Sequence, residues 1–452
     1  MSRYLLTNAT IVTGESSFPG SLGIDGGYIN DIWKEGNPDF PGAEVIDLEG
    51  KILMAGGIDA HVHFREPGMT WKADIASESE AALLGGITSF VDMPNTLPPA
   101  TSMEAVDDKL SRASSTSKAN YGFHIGATNS NTALIKDYLE SGLGSRFGGI
   151  KVFMGSSTGN MLVDRDATLE EIFSIKGKTI LVHCEDEGTV RANLEAARSE
   201  YGNDIPFHMH PVIRSREACI RSTRKAIELA LKHGTRLHIL HVSTAEEVRM
   251  IREAKRINPG ISAETSANYL WFCDEDYDRL GGRLKCNPAV KTKEDRTALL
   301  EGLSDGTIDT IGSDHAPHLL SEKERVYTEC PSGIPSIRHS LPAVLTLALR
   351  NGIPLTRVAS AFSENIARIL GIKDRGYIRK GACADLTVLD LDEEFIADGK
   401  GYKCRWTPYE GYRLKGKVDM VWLNGIPAVS GSRMCAGKAQ SRPQPLQFLP
   451  IG

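Results

Sequence analysis

The sequence predicts an α/β protein: a (β/α)8 barrel carrying a small β-sandwich domain formed by both chain termini. Three observations lead there. Between residues 54 and 370, eight apolar strand-like runs alternate with amphipathic stretches of helical period, the pattern of βα units around a parallel sheet. Residues 1–53 and 371–452 instead carry short apolar runs divided by Gly and Pro turns. And six of the twelve histidines stand at or just past the ends of the barrel runs, where such a barrel places its chemistry.

In order, the N-terminal segment offers strands over Tyr4–Thr10, Leu22–Ile24, Tyr28–Trp33 and Glu44–Asp47. The barrel runs follow as Gly57–Phe64, Ile87–Met93, Tyr121–Ala127, Gly149–Met154, Thr179–His183, Arg236–Val242, Ile261–Thr265 and Ile308–Ser313. Helical spacing covers Ala73–Leu84, Leu169–Ser174, Arg221–Lys232, Ala245–Arg256 and Thr292–Glu301. Eight such strands favour a closed barrel over an open sheet. Ser111–Ser117, low in complexity, reads as a solvated loop. Leu386–Asp390 and Val418–Leu423 return as strands, and the Pro- and Gln-rich tail from Gln440 to Gly452 is expected to order only by docking.

Composition narrows the function. With 452 residues, 41% hydrophobic and 24% charged, the chain is globular. A net charge of −6 argues against a nucleic-acid-coating protein. No run of about 18 apolar residues would span a membrane, and the polar start Met1–Asn8 does not read as a secretory signal. Eight cysteines without a C-x-x-C pair read as inert reduced thiols of a cytoplasmic protein. Strand alternation points Cys184 away from the site.

The most informative segment is Asp59-Ala-His-Val-His-Phe-Arg-Glu-Pro-Gly68. Alternation puts His61 and His63 on one face of the first strand, able to converge on a divalent metal. His183, His241 and Asp314 end other strands and add an imidazole–carboxylate ligand set. Four histidines and a carboxylate exceed one tetrahedral ion, so two metals about 3.5 Å apart are expected. Such a pair needs a bridging anion, yet the fourth strand supplies Lys151 within Gly-Ile-Lys-Val-Phe-Met. A lysine desolvated to its neutral amine can take up carbon dioxide and bridge as a carbamate.

His61-Val-His-Phe-Arg-Glu-Pro-Gly, Met93-Pro-Asn-Thr-Leu-Pro-Pro99, His183-Cys-Glu, His241-Val-Ser and Ser313-Asp-His-Ala-Pro-His318 together resemble the dihydroorotases of the cyclic amidohydrolase superfamily. The likeness runs from about residue 50 to 370 and continues weakly through Lys380–Asp390. It implies two zinc ions, His61 and His63 on one, His183 and His241 on the other, with carboxylated Lys151 between them. Asp314 would bind the first ion and move a proton from the attacking water to the leaving ring nitrogen. Arg65, Asn95 and His318 would hold the substrate carboxylate, while Asn287, Ser332 and Gly333 would meet the ring. Ser157 and Thr158 fall where some relatives carry a loop that closes over substrate.

The reaction implied is the reversible cyclisation of N-carbamoyl-L-aspartate to (S)-dihydroorotate in pyrimidine synthesis. The resemblance further implies a small-molecule substrate, a homodimer, and a relationship to aspartate carbamoyltransferase. Related alternatives are an allantoinase or a dihydropyrimidinase-type hydrolase; a non-catalytic scaffold should lack some of the six metal-directed residues, and all are present. Arg65 and Asn95 favour dihydroorotate, because a guanidinium fork grips a ring carboxylate. Gly155–Gly159 also spells G-x-S-x-G, but a nucleophile elbow requires a strand running straight into a helix, and residues 160–166 read as loop.

Overall fold

Short buried parallel strands and capped helices alternate through the middle of the chain. The structure, a computed structural model, describes residues 3–35, 38–155, 161–435 and 442–451. The barrel strands are Gly57–Val62, Ile87–Asp92, Asn120–Phe123 with its continuation Ile125–Gly126, Ile150–Phe153, Ile180–His183, Leu237–Ile239, Ile261–Thr265 and Thr310–Ile311. Strands one to three pair in order, the third continues into the ladder of strands four to eight, and a parallel bridge between Val62 and His315 joins the last strand's exit to the first. Every residue of these strands is buried, as expected of a parallel sheet covered by helices.

Several predicted runs extend beyond the observed strands at their C-terminal ends. Gly57–Phe64 pairs only to Val62, and Ile308–Ser313 only over Thr310–Ile311. Beyond those points the backbone turns out of the ladder: Arg65, His241 and Asp314 have φ of 65°, 40° and 46°, a left-handed region that non-glycine residues seldom enter and that clusters at functional sites.

Helices begin where polar side chains cap them. Asp74 caps Ile75–Leu84, Ser215 caps Arg216–His233, Thr244 caps Ala245–Ile257 and Thr292 caps Lys293–Asp305, each accepting from a backbone N–H of the first turn. The Ser111–Ser117 loop expectation is wrong: Ser111 to Thr116 form the last turns of helix Met103–Thr116. Met103, Val106, Lys109 and Ala113 give that helix a buried stripe, and Ser114, Ser115 and Thr116 bond back to carbonyls of Ser111 and Arg112. Burial on one face outweighs a polar composition on the other.

Both termini join one nine-stranded sheet. Arg3–Val12 pairs antiparallel with Ser17–Asp25 and, on its other edge, parallel with Glu44–Asp47 and then Ile52–Ala55. Ile52–Ala55 pairs antiparallel with Leu386–Ile396, which brings in Arg413–Leu423, Ile426–Ser430 and Arg433–Met434. Leu6, Ile11, Leu22, Ile24, Leu53, Leu386, Val388 and Trp422 form a core distinct from the barrel's.

The described part of the tail docks on the barrel's N-terminal end. Tyr121 N–H donates to Gln444 and Leu446 N–H to Tyr121, while Leu446 and Phe448 are buried beside Val91, Ile369 and Ile372.

Candidate active site

Six side chains from five strands meet at the C-terminal mouth of the barrel. His61 and His63 leave the first strand on one side, ring centroids 5.6 Å apart. Their Nε2 atoms lie 3.4 and 3.3 Å from Asp314 Oδ1, carried by the turn after strand eight. The ligand atoms of these three residues all lie within 4.8 Å of one another. His183 and His241 converge separately, Nδ1 to Nε2 at 2.8 Å, and the His241 ring lies 5.2 Å from that of His61.

The outer nitrogens are held from behind. His61 Nδ1 meets Glu264 Oε1 at 2.6 Å, His63 Nδ1 meets Asn95 Oδ1 at 2.7 Å, and His183 Nε2 meets Glu185 Oε2 at 3.0 Å. Such partners fix the ring and its tautomer, leaving the other nitrogen's lone pair for a metal. Burial drives His63 down to about 4 and lowers His183 and His241 as well, so these imidazoles are neutral at physiological pH. Asp314 stays below the usual carboxylate range: burial opposes its ionisation, but His61, His63 and Lys151 outweigh that. A neutral imidazole set with an ionised carboxylate is a fit donor set for a divalent cation.

Lys151 is 1% exposed. Its Nζ lies 4.6 Å over the Phe153 ring, and burial lowers the amine to about 7 despite the carboxylates of Asp314 and Glu264. Lys151 therefore does not reach solvent, and a neutral amine is accessible near neutral pH.

His63, Arg65, Asn287, Asp314, Ala316, Ser332 and Gly333 line one small pocket. Arg65 is buried and anchored by its Nε donating to the Pro317 carbonyl at 3.1 Å. The Asn287 carboxamide satisfies its neighbours with Nδ2 donating to Ser332 Oγ at 3.0 Å and Oδ1 accepting from Arg214 at 2.8 Å. Gly333 has φ +149°, and a Cβ there would meet the Ala316 carbonyl oxygen at 2.3 Å, so only glycine lets this loop approach so closely. His318 is buried behind the lining, its Nε2 3.0 Å from Arg65 Nη2 and 3.1 Å from the Ser332 carbonyl oxygen. Asn95 likewise stands behind His63. Ser157 and Thr158 lie outside the described residues, as does most of the G-x-S-x-G stretch.

Glu264, Glu185 and Arg214 were not singled out from the sequence. Arg214 pairs with Glu185 at 2.9 Å, which together with His183 and Lys291 takes that carboxyl to about 2 against the cost of burial. Gly312 leaves room for Glu264: a Cβ there would lie 2.4 Å from Glu264 Oε2. His315, at a strand end like His61, His63, His183 and His241, instead braces structure, with Nε2 2.8 Å from Glu78 and Nδ1 accepting from Ser336 N–H. Cys184 is buried, its thiol pushed up to about 12.

The amidohydrolase family model matches residues 52–427. Among curated proteins, a dihydroorotase of Methanosarcina acetivorans is 34% identical over 437 residues, covering 92% of this chain and 91% of that protein. A dihydroorotase of Thermococcus kodakarensis is 31% identical, covering 96% of each. Among solved structures, an L-hydantoinase (dihydropyrimidinase) from Arthrobacter aurescens superposes with a TM-score of 0.91 at 26% identity, over 99% of this chain and 100% of that one. A dihydropyrimidinase from Brevibacillus agri gives 0.88 at 26% identity, over 96% of each chain. The resemblance read from the motifs, the barrel and the two sets of relatives agree: the chain belongs to the amidohydrolase family.

Proposed function

We propose that the chain is a dihydroorotase, interconverting N-carbamoyl-L-aspartate and (S)-dihydroorotate in de novo pyrimidine synthesis. The observation that carries this reading is Arg65, a buried guanidinium lining the same small pocket as His63 and Asp314. Burial lowers Arg65 only to about 10, so it remains a cation ready to meet a ring carboxylate. Dihydroorotase relatives covering more than nine-tenths of the chain support the same substrate. The hydantoinase neighbours are the reason to keep a neutral-ring hydrolase as the second reading.

His61, His63 and Asp314 would hold one zinc ion and His183 and His241 a second, with carboxylated Lys151 bridging them. Bound there, the ions would supply Lewis acidity and make water a stronger acid near neutral pH. The chain's own residues do the rest. Arg65 grips the carboxylate and sets the ring's orientation, assisted from behind by His318, while Asn95 orients His63. Asn287, Ser332 and Gly333 bound the ring edge. Asp314, ionised at rest, takes a proton from the attacking water and returns it to the ring nitrogen as the amide opens. The reading includes division at residues 53 and 370 into barrel and β domain, a cytoplasmic homodimer, and association with aspartate carbamoyltransferase, which co-purification and light scattering address.

Purified protein assayed beside zinc-supplemented and chelator-treated samples against dihydroorotate, hydantoin, dihydrouracil and allantoin tests the assignment. Dihydroorotate should dominate, chelation should abolish turnover, and zinc should restore it. Predominant turnover of allantoin or of a neutral ring defeats the proposal.

A further inference from the structure

Two buried lysines frame the pocket without touching its interior chemistry. Lys323 is 1% exposed and donates to three main-chain carbonyls, Lys285 at 2.9 Å, Pro331 at 2.7 Å and Gly333 at 3.0 Å. Lys285, also buried, donates to the Tyr327 and Cys330 carbonyls at 2.7 and 2.6 Å and lies over the Tyr327 ring. Their acceptors all belong to Lys285 itself or to residues 327–333, the loop that brings Ser332 and Gly333 to the pocket. Neighbouring Lys72 has Glu322 at 2.8 Å, but among the described residues neither Lys285 nor Lys323 has a carboxylate within ion-pair distance. Burial lowers both ammonium groups to about 8, which leaves them largely cationic at neutral pH.

A buried charge without a counter-ion is costly. Hydrogen bonds to carbonyls solvate such an ammonium but do not neutralise it. Methionine would fill the same space without that cost. Beside the cation of Arg65, these two retained charges outnumber the Asp314 carboxylate that lines the same pocket, a balance that favours an anion entering it.

We propose that Lys285 and Lys323 are specificity-determining residues whose uncompensated charge makes the pocket select a carboxylate-bearing ring over a neutral one. The inference deepens the dihydroorotase reading and rests on it. Neither lysine touches substrate; they act through the field and through the position of residues 332 and 333.

Lys285→Met, Lys323→Met and the charge-retaining Lys323→Arg should be prepared as metal-loaded enzyme. KM and kcat for dihydroorotate and the Kd of orotate, a planar carboxylated ring that is not opened, are then measured. Each Met variant should raise KM and the orotate Kd by about tenfold, with kcat within about threefold, because a loss of folded fraction lowers kcat and leaves KM unchanged. Lys323→Arg should keep both within about threefold. Unchanged KM and Kd in both Met variants, or a loss in Lys323→Arg equal to that in Lys323→Met, overturns the inference. If instead the unmodified enzyme opens neutral rings and not dihydroorotate, the function reading has failed, which is a separate result.

Discussion

Glu264 sits on the seventh strand and His61 on the first, 203 positions apart, yet their side chains meet at 2.6 Å. With His61 Nδ1 so engaged, Nε2 is the nitrogen facing Asp314. Glu264→Gln should therefore weaken metal binding by about 10–100-fold, read as chelator competition against the unmodified protein, with the fold intact by circular dichroism. Lys151→Ala should lose both turnover and bound metal. Short-chain acids should partly restore turnover by standing in for the carbamate; full activity in that variant would refute the bridge. The proposed ligands His61, His63, His183, His241 and Asp314 were legible because each stands at or just past a strand end. Glu264 and Glu185 were not: one lies within a strand and the other in the polar Cys-Glu-Asp-Glu stretch past one, and neither segment by itself shows which imidazole its carboxylate meets.

Elements are tied to one another beneath the site by a buried ion pair. Lys109, on helix Met103–Thr116, reaches Asp92 at 2.6 Å and the Met93 carbonyl at 2.9 Å, while Asp92 Oδ1 accepts from Phe64 N–H at 2.8 Å. The pair thus fixes the exits of strands one and two, from which His63 and Asn95 project. Removing one partner leaves a buried charge alone, so Lys109→Met should cost about 3–5 kcal/mol, measured by denaturant unfolding. The serine-rich half of this helix was unreadable by composition because its single buried residue, Ala113, carries little hydrophobic signal. Ala245–Ile257, with its Thr244–Glu247 capping box, lies within one residue of its predicted bounds at either end, whereas Arg216–His233 starts five residues before, and Lys293–Asp305 ends four residues after, the predicted stretches.

At the scale of the molecule, the tail seals the end of the barrel opposite the site. Phe448 is fully buried against barrel and tail residues, so Phe448→Ala should cost about 3–5 kcal/mol, read as a lowered unfolding midpoint with kcat little changed. Lys178 lies in the same region, donating to the Phe147 carbonyl at 2.9 Å and facing the Phe448 ring. Burial lowers it to about 7, whereas in the unfolded chain it titrates near 10.4. Between those values the unfolded state binds more protons, so this group's penalty is full below pH 7 and fades as pH rises towards about 10. Lys178→Met should raise the melting temperature at pH 7 and flatten its rise between pH 7 and 10; an unchanged profile would count against a buried ammonium.

The alternation of apolar runs and helical stretches set the fold class, because hydrophobic period is a local property that each segment carries alone. The H-x-H spacing and the strand-end histidines set the metal-directed residues for the same reason. Tertiary structure decided which polar groups stand behind them, that His315 braces a helix instead of joining the ligands, and that Asn95 and His318 sit behind His63 and Arg65. Those outcomes depend on side chains from distant strands arriving at one point, and the geometry of closure, not any single segment, determines who meets whom.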